Sequence, residues 1–228
     1  MSFSIELDGP RHGPQPGQAD ALVMLLHGLG ADGNDLIGLA PVFSQILPDA
    51  AFVSPHAPFP CDMAPFGRQW FSLQNREPDA ILAGVRAAAP HLDAFIDQEL
   101  ERYGLDDSRL VLLGFSQGCM MALHVALRRA RTCAAILGYS GMLVGTDSLV
   151  DEIKSRPPVL LVHGEADEIV AFSAMAAAET ALVGNGVLVQ SHACPGLGHG
   201  IDETGLRLGA AMLRQHLAPA PKSGDHAP

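Results

Sequence analysis

The chain has 228 residues, 48% hydrophobic and 17% charged, enough to fill the core of one α/β domain and too few for two ordinary ones. Acids outnumber Lys and Arg 25 to 14, a formal charge of −11 with no basic run, which argues against nucleic-acid partners and against an anionic membrane surface. Apolar stretches stay short of the ~18 residues of a membrane span, so no stable membrane insertion is expected.

Residues 1–10 carry Glu6 and Asp8 rather than a basic segment leading into an apolar run, so they do not read as a signal peptide. Cys61, Cys119, Cys133 and Cys194 are widely separated, with no CxxC, and are expected to be reduced thiols in a cytoplasmic protein. The residues around Phe3–Leu7 are expected to add an antiparallel edge strand. A first core strand follows over Ala21–His27, a helix over Asp35–Gln45 and a second strand over Ala50–Ser54. Residues 55–78 fit neither pattern; they are rich in Pro, interleave aromatics and hold the single Trp, as a long functional or mobile loop would.

A long helix is expected over Asp79–Tyr103, ended by Gly104, then a strand over Arg109–Phe115 and a helix over Gln117–Arg131. Strands over Cys133–Tyr139 and Pro158–His163 lead to a helix over Ser173–Val183, ended by Gly184. A strand over Val187–His192 and a helix over Glu203–Leu217 complete the pattern. Several strands are almost continuously apolar, as strands covered on both faces must be. The alternation predicts an α/β class with a mostly parallel sheet, a single domain over 1–217, no large cap domain, and a disordered tail over 218–228.

The segment Gly114-Phe-Ser116-Gln-Gly118 matches GxSxG. Alone that is weak in a chain with 24 glycines, but here it joins an apolar strand to a helical run. At such a corner the motif means a nucleophile elbow, whose tight backbone tolerates only glycine on either side. The helix start also aims free N–H groups at an oxyanion. The alternative is a serine that merely caps the helix.

In this arrangement the acid and then the histidine follow the serine in chain order. His216 lies within the terminal helical run and His226 in the tail. His199, framed by Gly198 and Gly200 between the last strand and the last helix, is therefore expected to be the base, with His192 as the alternative. Asp167 in HGEADEIV is expected to orient it, with Glu165 as the alternative and Asp147 and Asp151 as solvent-facing residues. The oxyanion hole is expected to use the backbone N–H groups of Gln117 and of Leu29, which sits between two glycines after the first core strand. The same turn lacks GxGxxG spacing, and His27 is expected to brace it. Neither His-Gly turn, His27-Gly28 nor His163-Gly164, has metal-ligand partners at helical or loop spacing, so no catalytic metal is expected, and no cofactor is expected.

LHGLGADGND (26–35), PHAP (55–58), GFSQG (114–118), HGEADEIV (163–170) and GLGHG (196–200) together resemble the carboxylesterase/phospholipase family, which includes acyl-protein thioesterases. The resemblance runs collinearly from about residue 20 to 217. It implies the α/β-hydrolase fold without a lid, a triad of Ser116, Asp167 and His199, and oxyanion donors at Leu29 and Gln117. Two segments depart from the family pattern: GRQWFSL where SW[FY] is usual, and Gly138-Tyr-Ser-Gly-Met142-Leu where LSG[WYF]L is usual.

Phe66, Trp70, Leu73 and Met142 are the candidates to line an acyl groove, with core packing as the alternative for each. The expected activity is hydrolysis of short- to medium-chain acyl esters or thioesters, small-molecule substrates, through an acyl-serine. The rivals are a thioesterase or lysophospholipase acting on long chains and, from another class, a non-catalytic binding module retaining the fold. A homodimer is left open.

Overall fold

The computed structural model describes residues 5–217. Its elements begin with β1 (Arg11–His12), β2 (Ala21–Leu26), the short helices α1 (Gly33–Leu36) and α2 (Ala40–Phe43), and β3 (Ala50–Val53). A two-stranded antiparallel ribbon follows, β4 (Phe59–Pro60) with β5 (Arg68–Gln69), then α3 (Pro78–Tyr103), β6 (Leu110–Phe115) and α4 (Gln117–Ala126). The chain continues through β7 (Ala135–Tyr139), α5 (Leu149–Glu152), β8 (Val159–Gly164), α6 (Ser173–Gly184), β9 (Val189–Cys194) and α7 (Glu203–Leu217).

The main sheet has seven strands in the order β1-β3-β2-β6-β7-β8-β9, with β1 antiparallel to β3 and every other neighbouring pair parallel. Side chains alternate across the pleat, so β2 feeds two cores. Leu22, Met24 and Leu26 pack with Val85, Leu92 and Ile96 of α3, with α4, and with Met175, Ala178 and Leu182 of α6. Ala21, Val23 and Leu25 pack on the other face with Leu36 and Phe43 and with Met212, Leu213 and Leu217 of α7. All six residues of β2 are buried, which is why the strand reads as an unbroken apolar run.

Several expected boundaries differ, each for a physical reason. The antiparallel edge strand is Arg11–His12; residues 5–7 form no strand, and Phe3 lies outside the described residues, as does the tail over 218–228. The helix expected over Asp35–Gln45 is broken into α1, a 3₁₀ turn over Ile37–Leu39, and α2, which has a proline in its first turn. Helix α4 stops at Ala126, not Arg131. The Ser155 hydroxyl donates to the Ala126 carbonyl, and the Lys154 and Ser155 N–H groups both donate to Leu127, drawing the chain out of helix. Gly104 ends α3 as expected, at φ 69°. Gly184 instead lies inside α6, which closes through Gly186 at φ 77°, with Val187 N–H donating to the Leu182 carbonyl. That cap uses Val187, and β9 therefore starts at Val189.

Candidate active site

The loops after β2, β6, β8 and β9 meet at the carboxyl edge of the sheet, where open α/β sheets place their ligand sites. Ser116 occupies the corner between β6 and α4 at φ 54°, a left-handed conformation that costs a non-glycine residue about 1–3 kcal/mol. A Cβ on Gly118 would overlap the Leu26 carbonyl oxygen, and one on Gly114 would overlap Gly118 itself. Ser116 N–H donates to the Tyr139 carbonyl at 2.9 Å, which fixes the elbow to β7.

His199 faces this serine from the loop after β9. Its Nε2 is 3.0 Å from Ser116 Oγ, and its Nδ1 is 2.8 Å from Asp167 Oδ2. Asp167 accepts only, so Nδ1 carries the proton and Nε2 is left to accept from the serine hydroxyl. The Asp167 side chain is fully buried, and its Oδ1 accepts from the Ile169 and Val170 N–H groups at 2.9 Å each. Burial acts to raise the carboxyl pKa, but the hydrogen bonds from His199, Val170 and Ile169 outweigh it and hold Asp167 below the usual carboxylate value. Glu165 is exposed, and His192 lies within edge strand β9 opposite Val162; neither enters this chain of hydrogen bonds. Asp147 and Asp151 are also exposed.

Leu29 and Gln117 stand on the two loops flanking the serine, and among the described residues neither backbone N–H is taken up by an acceptor within the fold. The Gly28 position lies against Ser116, where an added Cβ would come within 3.3 Å of the serine Cβ. His27 braces this turn. Its Nε2 accepts from Ala57 N–H at 3.0 Å and its Nδ1–H donates to the Gly28 carbonyl at 2.8 Å, so the ring is neutral, in keeping with a pKa lowered by burial.

Leu29, Ser116 and His199 open onto a cavity of about 670 Å³ walled by Leu73, Ile81, Met120, Met142, Ile169 and Val170 and by the first turns of α6. Of the four residues named as acyl-groove candidates, Leu73 and Met142 line this cavity; Phe66 and Trp70 do not. Phe66 is 74% exposed and lies outside the cavity. Trp70 is completely buried behind it: the indole N–H donates to the His27 carbonyl at 3.0 Å, and the Trp70 amide donates to Gln117 Oε1 at 2.8 Å. A buried indole needs an acceptor, and here that need ties the chain after the ribbon to the turn after β2, while the Trp70 amide ties it to the elbow.

Two site residues, Ser140 and His163, were not singled out from the sequence, and Gln117 has a side-chain role beside its expected backbone one. Ser140, at φ 47°, donates its hydroxyl to the Gly200 carbonyl at 3.1 Å and so fixes the loop that carries His199. His163 Nε2–H donates to the Val170 carbonyl at 2.9 Å and lies 3.2 Å from Asp167 Oδ2. The HG pair at the end of β8 was the signal for His163, and only the return of residues 165–170 over it reveals the contact. Gln117 clamps Phe71 and Trp70 with both ends of its side-chain amide.

A strained serine at a strand–helix corner, hydrogen-bonded to a histidine and thence to a buried carboxylate, defines a serine hydrolase with the α/β-hydrolase fold. The chain belongs to the phospholipase/carboxylesterase family, whose model matches residues 14–217. It is similar to the esterase YpfH of Escherichia coli (strain K12), at 28% identity over 86% of this chain and 83% of that one. It is also similar to acyl-protein thioesterase 1 of Gibberella zeae, at 29% identity over 90% of this chain and 94% of that one. Among solved structures, esterase PE8 superposes with a TM-score of 0.90 at 41% identity, covering 93% of this chain and 100% of the other. The protein is thus a carboxylic ester hydrolase. Among the described residues no helix is long and apolar enough to cross a membrane.

Proposed function

We propose that the protein hydrolyses short- to medium-chain acyl esters and thioesters by two-step acyl transfer at Ser116. The observation that carries this reading is the Ser116–His199–Asp167 chain of hydrogen bonds opening directly onto the apolar cavity. His199 Nε2 removes the Oγ proton as Oγ bonds to the substrate carbonyl carbon, and the oxyanion accepts from the N–H groups of Leu29 and Gln117. The bond to the leaving oxygen or sulfur then breaks as His199 returns the proton to it. Water, deprotonated by the same Nε2, releases the acid and restores Ser116. The cavity size lies within the range of small-molecule sites, and its walls offer an acyl chain apolar contact.

A fluorophosphonate probe is expected to label the native protein and not Ser116→Ala, and that substitution should lower kcat about 10⁶-fold. Absence of labelling in the native protein would favour the binding-module reading. A chain-length series of soluble esters should give kcat/KM peaking at medium chains. A steady rise beyond them would replace this substrate range with the long-chain one.

A further inference from the structure

The cavity that holds Ser116 also reaches Arg76, and Arg76 is the one Lys or Arg among its lining residues. No Asp or Glu lines it, although the chain carries 25 acids against 14 Lys and Arg. The acids nearest in sequence, Glu77 and Glu168, are exposed and lie outside the lining. Several other arginines are engaged: Arg86, Arg109, Arg128 and Arg129 pair with carboxylates and Arg68 binds backbone carbonyls, while Arg207 and Arg214 of α7 lie outside the cavity lining. Arg76 has no such partner among the described residues. Arg76 is exposed and lines the cavity from the turn that precedes α3, where Glu77 N–H donates to Asn75 Oδ1.

A lone cation at the mouth of an apolar cleft meets little competing charge, and the low-dielectric walls concentrate its field on whatever enters. A neutral acyl chain gains nothing from that field. A carboxylate or phosphate carried some bonds away from the scissile carbonyl gains an ion pair while its apolar portion lies against Leu73, Ile81 and Met142. We infer that Arg76 forms an anion subsite, and that the preferred substrates are acyl esters bearing a negatively charged group remote from the bond that is cut. This rests on the reading of Ser116 as the nucleophile and adds to it the chemical class of the substrate.

The test uses the full chain and matched pairs of p-nitrophenyl esters. One member of each pair is the half-ester of a dicarboxylic acid, from succinic to sebacic; the other is the monocarboxylic ester of equal length. A second arm moves the charge to the leaving group, comparing butyrate esters of hydroxybenzoic acids with those of the corresponding neutral methyl hydroxybenzoates. The readout is the ratio of kcat/KM, charged over neutral, which cancels any general loss of activity.

At low salt the ratio is expected to exceed unity by about fivefold at the best length, and to fall as added salt shortens the Debye length toward ~8 Å. Arg76→Gln should bring it to unity or below, Arg76→Glu should lower it further, and Arg76→Lys should retain part of it. The arm that responds shows whether the acyl chain or the alcohol carries the anion. A ratio at or below unity at every length in both arms, or one unchanged in Arg76→Gln, overturns the anion subsite while leaving hydrolysis at Ser116 standing. Loss of all ester hydrolysis and of fluorophosphonate labelling in the native protein would instead remove the reading beneath it.

Discussion

Asp167 is held from two sides, by backbone N–H groups on Oδ1 and by two imidazoles near Oδ2. Removing the acid itself, as in Asp167→Asn, should cost on the order of 10⁴ in kcat, because the His199 tautomer is no longer enforced. His163 acts a step further out: it fixes the Val170 carbonyl and thereby the loop that presents Asp167. His163→Leu would leave that buried carbonyl without its donor, a loss of about 1–3 kcal/mol. In steady-state kinetics this should appear as a drop in kcat, far smaller than that of Asp167→Asn, with KM little changed. His163→Gln retains a side-chain N–H and should recover most of the rate; equal losses in the two variants would count against a positioning role. Ser116, Asp167 and His199 could be chosen from the sequence because chain order and the glycine frames leave few candidates. His163 and Ser140 could not, since their partners lie in loops whose path no local pattern fixes.

At the scale of elements, the α/β alternation was legible wherever burial dictated it: every core strand from β2 to β8 begins or ends within two residues of its apolar run. What escaped was decided by tertiary partners. Helix α4 is shortened by hydrogen bonds from residues 154 and 155, and residues 55–78 contain the β4–β5 ribbon, bonded to the turn after β2 through Gly30 N–H to the Arg68 carbonyl and Arg68 N–H to the Ala31 carbonyl. Trp70, directly after that ribbon, is the link that can be tested. Trp70→Phe keeps an apolar ring but removes the N–H from the His27 carbonyl and leaves a void, at a cost of about 2 kcal/mol or more. The urea midpoint should fall, and kcat should fall with it as the Leu29 turn loosens, while the dependence of KM on acyl length stays as it was. A changed chain-length profile with unchanged stability would place the indole in the groove after all.

At the scale of the whole molecule, the response to acid separates into two pH windows. His124 of α4 is 3% exposed, and its Nδ1 has no hydrogen-bond partner; burial, helped by Arg128, pushes its pKa down to about 4 against an ordinary 6.5. As the pH falls below 6.5 the unfolded chain takes this proton first, so stability declines between pH 6.5 and 4 and the His124 contribution then levels off. The gap corresponds to about 3 kcal/mol, a large share of the 5–15 kcal/mol that typically holds a domain folded. Asp167 and Glu152 are held below the usual carboxylate value, so the stability they contribute is present at neutral pH and is lost only at lower pH, as each is protonated through its depressed folded value. His27 shares the sign of His124, which makes a difference between variants more informative than one titration curve. Urea unfolding across this range should therefore show a shallower decline from pH 6.5 to 4 in His124→Leu than in the native chain, and a similar decline below pH 4. Parallel curves through the upper window would mean that His124 takes up its proton in the folded state as readily as in the unfolded one, and that the acid lability of the fold begins with its carboxylates.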